Sequence, residues 1–443
     1  MMDTDYKSYF KGRRITVMGL GLLGGVGDIR FLAACGADLI VTDLKSKEEL
    51  APSLAQLREF SNIRYALGEH KLEDFRDRDL VIKAPATPID SPYIAEARKS
   101  GIPVTMWAAL FSRFAKKMGT TIVGVTGTRG KTTTTAMIAE ALKRSGKKVI
   151  VGGNVQGSSI LSQLTEANAD ATAVLELDSW KIQGFRDEQI SPHVSVFTTF
   201  YPDHLNYYGG SMDLYLEDKA LIFLFQGPED TLVVGEQCAS LIEERYSARI
   251  RSKKVVAHAN DLPIDVVLRV PGEHNRLNAA CAMHALEALG LSQGEIRSGL
   301  ESFEGVPGRL QLVREVRGIK LYNDTTATTP EATIAALKAL DPENKQNILL
   351  IIGGADKGLD MDKTMQPAIH MHCKKVYFLA GSGTERVRGT DVPYESLKAA
   401  FEAAMAEATA GDSILMSPAF ASFGMFKNEY ERGEQFNALV EAL

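Results

Sequence analysis

A strand-to-helix turn carrying Gly-Lys-Thr governs how the middle of this chain can fold. Thr121-Ile122-Val123 is β-branched and apolar, which predicts a strand, and residues 136–142 carry helical spacing. Between them runs Gly124-Val125-Thr126-Gly127-Thr128-Arg129-Gly130-Lys131-Thr132, followed by Thr133. Glycines at such a turn let backbone N–H groups converge on phosphate oxygens. The N-terminus of the next helix adds positive potential, so the unit is a phosphate cradle. Lys131 is expected to reach the β/γ-phosphates and the Thr132 hydroxyl to face Mg2+. The strict G-x-x-x-x-G-K-[ST] pattern wants glycine at 125; here Val125 stands between Gly124 and Gly127.

Bulk properties narrow the class. A chain of 443 residues is long enough for two to four domains with real cores. A net charge of −6 argues against a nucleic-acid protein, which shows a basic excess or stripe. Cys35, Cys238, Cys281 and Cys373 lie far apart, without a C-x-x-C, and read as thiols in a reducing compartment. No apolar run reaches the ~18 residues of a membrane helix. The N-terminus lacks the apolar core of a signal peptide, so a cytoplasmic protein is expected.

The N-terminal third opens on a second glycine turn. Arg14 to Met18 predicts a strand, Gly19-Leu20-Gly21-Leu22-Leu23-Gly24 a tight turn, Phe31 to Ala34 a helix, and Asp38 to Asp43 a strand ending in an acid. This is a Rossmann-like βαβ with an acid some twenty residues on, which alone suggests NAD and a dehydrogenase. Further βα units follow: strand 80–83, helix 91–100 and strand 102–104.

Other motifs carry chemistry downstream. Glu176 ends an apolar strand, where ligands bind in open α/β sheets. Asp178 and Lys181 stand three apart and can pair across one helical turn. Asp203-His204 follows another strand, and Lys219 comes fifteen residues after His204. Asn275 and Asn278 share one helix face in Gly272-Glu273-His274-Asn275-Arg276-Leu277-Asn278. A boundary falls near Val306-Pro307-Gly308, followed by Arg309. Asp324 ends a strand before Thr325-Thr326-Ala327-Thr328-Thr329-Pro330. Lys357 follows the doubly apolar strand 347–352, and Ser417-Pro418 leads to Ser422-Phe423 and then Phe426-Lys427-Asn428 and Arg432-Gly433. His370 and His372, without acidic neighbours in sequence, read as surface.

Taken together and in order, these motifs resemble the Mur ligase family, with folylpolyglutamate synthetases as more distant kin. Thr-Gly-Thr-x-Gly-Lys-Thr, Glu176, Asp203-His204, Lys219, Gly-x-His-Asn-x-x-Asn and Ser-Pro-x-x-x-Ser-Phe carry the likeness across essentially the whole chain. The C-terminal motifs are most similar to the D-glutamate-adding members. The resemblance implies three α/β domains: a Rossmann-like UDP-binding domain at 1–117, a P-loop-type ATPase domain at 118–307 and a Rossmann-like amino-acid-binding domain at 308–443. It implies ATP-dependent ligation through an acyl phosphate, in peptidoglycan precursor synthesis, with UDP-N-acetylmuramoyl-L-alanine and D-glutamate as partners of ATP. A sister ligase using L-glutamate or another amino acid is the alternative, because Asp178, Lys181, Thr326 and Thr329 depart from the usual pattern.

Site roles follow from the same resemblance. Lys131, Glu176, His204 and Lys219 are the expected catalytic set. Thr132, Glu176, His204 and Lys219, the last as a carbamate, would hold two Mg2+ ions. ATP is expected to touch Gly127, Thr128, Gly130, Lys131, Thr132, Thr133, Asn275, Asn278, Arg309 and Asp324. Gly19, Leu20, Gly21, Leu22, Asp43 and Asn154 are expected at the UDP-substrate, and Thr328, Lys357, Ser422 and Phe423 at the amino acid. Domain closure, with hinges near 117–120 and 306–309, would exclude water. A monomer is expected.

Overall fold

Three sheets carry the chain. The computed structural model describes residues 5–21, 25–85, 87–153, 159–356, 358 and 365–443; Leu22, Asn154 and Lys357 lie outside the described residues. The first sheet holds β1 (Arg14–Met18), β2 (Asp38–Asp43), β3 (Ile63–Leu67), β4 (Leu80–Lys83) and β5 (Val104–Thr105), ordered β3-β2-β1-β4-β5 and parallel throughout. The second holds β6 (Thr121–Thr126), β7 (Lys148–Gly152), β8 (Ala171–Glu176), β9 (Val194–Phe197), β10 (Thr231–Gly235) and β11 (Lys253–Ala257). Its order is β11-β10-β9-β6-β8-β7, also all parallel. The third holds β12 (Gln311–Val316), β13 (Ile319–Asn323), β14 (Ile348–Ile352), β15 (Cys373–Phe378) and β16 (Ser413–Met416), ordered β12-β13-β16-β14-β15. Only β12 among these runs antiparallel to its neighbour.

Strand composition explains the layering. β14 reads Ile-Leu-Leu-Ile-Ile and every residue is buried, as a parallel strand covered on both faces requires. β12, on the sheet edge, is half exposed along its length. In each sheet the strand order reverses beside the strand that carries a predicted motif, and ligands of open α/β sheets bind at that reversal. β1 lies between β2 and β4, and β6 between β8 and β9.

The chain divides into two compact units, Met1–Pro263 with Leu277–Leu300 and Ile264–Arg276 with Glu301–Leu443. The first unit contains two sheets because they share one core. Phe10, Ile15, Leu39, Phe111, Phe114, Phe185 and Phe197 belong to the same buried cluster. Helix Trp107–Lys117 turns Ala108, Leu110, Phe111, Phe114 and Ala115 inward and binds Glu188 through Arg113 at 3.1 Å. The second unit has its own cores on either face of the third sheet. No described helix is long and apolar enough to cross a membrane.

Asp28 is an unusual member of the first unit. On helix Val26–Ala34 it is 2% exposed and accepts from Ser159 Oγ at 2.7 Å and Leu161 N at 2.8 Å. Burial pushes its pKa up to about 6, although both donors pull it down. The native state therefore holds this proton more tightly than the unfolded chain. The contribution is fully present below pH ~4 and is lost as the pH rises through about 6. Asp28→Asn cannot ionise, and its Oδ1 still accepts from both donors. Its stability relative to wild type should improve by ~3 kcal/mol between pH 4 and pH 7. Urea titrations at several pH values check this; parallel profiles for the two proteins would sink it.

Two expectations need correction. His372 is not on the surface: it is 2% exposed and its Nδ1 lies 3.3 Å from buried Asp341, at the end of helix Met365–His372. The partner is distant in sequence, so local reading misses it; His370 is exposed as expected. The strand expected at 102–104 begins only at Val104, because Pro103 has no N–H to give a ladder. All four cysteines are free, as expected.

Candidate nucleotide and amino-acid sites

The turn after β6 is fixed by the turn after β9. Gly127 has φ +141° and Gly130, which caps helix Lys131–Arg144, has φ +87°. A Cβ at Gly127 would stand 2.1 Å from Thr198 Oγ1 and 2.9 Å from Thr199 N. Thr128 N donates to Thr199 O at 2.7 Å, Arg129 N to Thr199 Oγ1 at 2.9 Å, and Thr198 Oγ1 to Arg129 O at 2.5 Å. Thr128 Oγ1 reaches Tyr201 O at 3.1 Å. Thr198 and Thr199 were not singled out by sequence; two hydroxyls after a strand give no signal of their own. Val125 proves to be a buried residue inside β6, paired with Val196 and Glu176, which is why a β-branched side chain suits it. The glycine of the strict pattern is not needed there, because Gly127 makes the turn.

Two lysines converge on one carbonyl of this turn. Lys131 Nζ donates to Gly127 O and Thr128 O, each at 3.1 Å, and Lys219 Nζ donates to Gly127 O at 2.8 Å. Lys219 sits on helix Met212–Ala220, which Ser211 caps by accepting from Leu214 N. It is 1% exposed, and burial, with Lys131 nearby, holds its amine well below the usual lysine range. Thr132 and Thr133 form the first turn of helix Lys131–Arg144. Asn278 packs on the same turn: a Cβ at Gly130 would stand 2.3 Å from its Oδ1.

Acidic groups come from the ends of β8 and β9. Glu176 ends β8 and is buried. Asp178 accepts from Trp180 N at 3.0 Å and Lys181 N at 2.8 Å, and pairs with Lys181 Nζ at 3.2 Å, the pairing expected from their spacing. Burial pushes the Asp178 carboxyl up, but Lys181 and its amide outweigh it and the group lies below the usual range. His204 has φ +52°, its backbone N–H donates to Asp203 Oδ1 at 2.9 Å, and its ring lies 4.4 Å from that of Trp180. Burial holds the imidazole below its ordinary pKa despite Asp203.

A polar relay ties this loop to the first sheet. Asp218, beside Lys219, accepts from Gln183 Nε2 at 2.7 Å, Tyr208 OH at 3.1 Å and Arg186 at 3.2 Å. Gln183 in turn takes a short bond from Lys83 Nζ, and Tyr207 OH donates to Thr87 O at 2.8 Å. Sequence reasoning missed Lys83, Gln183 and Asp218. A lysine closing the apolar strand β4 was the available hint.

The β1 turn is closed by its own acid. Asp43 Oδ2 accepts from Leu20 N at 2.8 Å and Gly21 N at 3.1 Å, while Oδ1 accepts from Lys45 N at 2.9 Å. Gly19 has φ +97°, and a Cβ there would lie 2.6 Å from Ala84 Cβ. The acid that a dinucleotide fingerprint sets on a ribose is thus turned onto the turn's amides, against the dehydrogenase reading.

In the second unit, loops after β13, β14 and β16 meet. Asp324 accepts from Leu310 N at 2.9 Å and Ser417 Oγ at 2.7 Å, and burial pushes it up to about 7. Thr326 N and Oγ1 both donate to Gly308 O, at 3.1 and 3.0 Å. Thr328 is half-buried and Arg309 exposed. Ala355 bridges to Ala421 beside Ser422; Ser422 is 3% exposed and Phe423 67% exposed, so the pair faces opposite ways. Asn275 donates to Pro271 O at 2.7 Å at the start of helix Glu273–Ala288.

Family models match in the same order as the sheets. Residues 13–106 match the Mur ligase MurD-like N-terminal domain, 125–286 the Mur ligase middle domain, and 308–420 the Mur ligase glutamate ligase domain. The chain is 36% identical to UDP-N-acetylmuramoylalanine--D-glutamate ligase of Roseiflexus sp. (strain RS-1), covering 97% of this chain and 99% of that one. This chain belongs to the Mur ligase family. The Mur ligase described here is also 34% identical to the ligase of the same name from Borreliella afzelii, over 98% of each chain. Its fold resembles that of MurF ligase from Thermotoga maritima, solved in complex with ADP, at a TM-score of 0.59 and 16% identity, covering 84% and 97% of the two chains.

Magnesium fits the residues of this Mur ligase. No cluster of three or more His, Cys, Asp or Glu side chains stands ready for a metal among the described residues. Mg2+ keeps waters and takes one or two carboxylates plus substrate phosphates, so buried Glu176 beside a phosphate turn is a suitable donor set.

Proposed function

We propose that this Mur ligase joins D-glutamate to UDP-N-acetylmuramoyl-L-alanine at the expense of ATP, in the cytoplasm. The observation that carries the reading is end-to-end similarity to ligases of that name, 36% over 97% of this chain and 99% of the relative. Domain boundaries near residues 117 and 307 belong to the same proposal.

The chemistry has two steps. A carboxylate oxygen of the muramoyl-alanine attacks the γ-phosphorus of ATP; the O–P bond forms, the bond to the β-phosphate oxygen breaks, and ADP leaves. The glutamate amine then attacks the acyl carbon, phosphate departs from the tetrahedral intermediate, and the amine gives up a proton. Lys131 turns from the two carbonyls it holds to the β/γ-phosphates and neutralises charge on the transferring group. Gly127, Thr128, Gly130, Thr132 and Thr133 line the phosphates, with Asn275, Asn278, Arg309 and Asp324 assigned to ATP on the resemblance. Thr132, Glu176, His204 and Lys219, the last as a carbamate, would hold Mg2+, which when bound draws charge from the phosphates.

Lys219 is deeply buried and its amine is held well below the usual lysine range, which supports the carbamate assignment, because CO2 adds to a neutral amine. Gly19, Leu20, Gly21, Leu22 and Asn154 are assigned to the UDP-substrate, with Asp43 shaping the turn from behind. Thr328, Lys357, Ser422 and Phe423 are assigned to the glutamate carboxylates, for which hydroxyl donors and a cation are apt.

Phosphate release by purified protein with Mg-ATP and UDP-N-acetylmuramoyl-L-alanine tests the reading. Release with D-glutamate, but not with L-glutamate or without an amino acid, is the expected outcome. Release with L-glutamate alone would transfer the protein to a sister specificity, with Thr326 and Thr329 marking the altered pocket.

A further inference from the structure

Arg432 is fully buried, at 0% exposure, on helix Glu429–Glu441. Its Nη2 donates to Thr325 O at 2.8 Å and its Nε to Thr325 Oγ1 at 3.1 Å. No carboxylate pairs with it among the described residues, and Nη1 has no hydrogen-bond partner there. Burying a guanidinium without an ion-paired carboxylate is costly. Such an arrangement persists where the charge or the fork serves another purpose.

The helix grips the loop at more than one point. Thr325 Oγ1 donates to Glu429 O at 2.6 Å, and Thr325 N donates to Asn323 Oδ1 at 3.1 Å. Asn323 Nδ2 donates to Asn437 Oδ1 at 2.8 Å and Gly433 O at 3.1 Å. A Cβ at Gly433 would stand 2.7 Å from Thr325 Cγ2, so the glycine lets the helix approach. The Asp324 end of the loop is anchored separately, by Leu310 N, Ser417 Oγ and the bond from Asp324 N to Met416 O.

We propose that Arg432 is a positioning residue for the acceptor amino acid. Its fork fixes Thr325 and so sets the course of the chain to Thr328, which is assigned to the glutamate carboxylates. The inference rests on the ligase reading for the identity of the acceptor. It separates the loop into an ATP-assigned end, held by Ser417, and an acceptor end, held by Arg432.

Arg432→Met and Arg432→Lys in the full chain test this, by phosphate-release kinetics and by hydrogen exchange of the backbone amides at 325–329. Arg432→Met should raise KM for D-glutamate at least tenfold, leave KM for ATP within twofold and speed exchange of Thr326 and Ala327. Arg432→Lys should recover part of each change. Equal rises in both KM values, or unchanged exchange, would overturn the proposal. Thr325→Val removes the hydroxyl acceptor without emptying the core, and serves if Arg432→Met does not fold. A raised KM for D-glutamate supports the proposal, and an unchanged one overturns it. Should wild type release no phosphate with D-glutamate, the ligase reading fails, while amide exchange still decides the positioning role.

Discussion

Replacing Lys131 by Met is expected to lower the phosphate-release kcat by ~10³-fold while the protein keeps its fold. Preorganised cations on a transferring phosphoryl group are worth factors of this size, because charge develops there in a site that excludes water. Met keeps the length and apolar stem of the side chain. The two acceptors that Lys131 holds are turn carbonyls, and Gly127 O keeps its bond from Lys219 at 2.8 Å. The turn itself is held by Thr198 and Thr199, which the substitution leaves alone. Melting temperature should therefore shift by only a few degrees while kcat collapses. A variant retaining a tenth or more of wild-type kcat would remove Lys131 from the phosphate site.

Gly127→Ala should do comparable damage by a different route. The residue sits at φ +141°, where an L side chain is strained by ~1–3 kcal/mol. The new methyl would also stand 2.1 Å from Thr198 Oγ1 and within 3.1 Å of Thr199 O. The turn must leave the β9 loop to admit it, and overpacking of this kind costs a further ~1–3 kcal/mol. Phosphate release should fall by ~10²-fold or more, since misplacement by an ångström is enough for that loss. Gly146→Ala is the comparison: φ is +73°, but no atom lies within 4 Å of the added carbon. It should lose stability alone and keep activity. Equal activities of the two variants would show that the contact at Thr198 does not shape the turn.

Periodic and glycine-rich segments were legible in the sequence because their physics is local. β1 spans Arg14–Met18 and β2 Asp38–Asp43, as their apolar runs predict. The salt bridge from Asp178 to Lys181 follows from three-residue spacing. What was not legible depends on partners far along the chain. His372 needs Asp341, Lys83 needs Gln183 a hundred positions on, and Arg432 needs Thr325. Each is a polar residue whose burial becomes affordable only when the fold brings its partner, so no window of sequence announces it. Asp43, expected at the UDP-substrate, also accepts from the turn's own amides, which no local pattern announces.

The two glycine turns carry counter-ions of opposite sign. After β1 a carboxylate from the chain sits on two amides, in the place where an anion would sit. After β6 two lysine nitrogens, those of Lys131 and Lys219, donate to turn carbonyls. The first turn is therefore braced by a carboxylate of its own chain before any ligand arrives. At the second turn Lys131 is held to two carbonyls, the contacts it gives up in the proposed step when it takes a phosphate instead. Within one compact unit, one turn is closed by its own acid and the other by its own lysines.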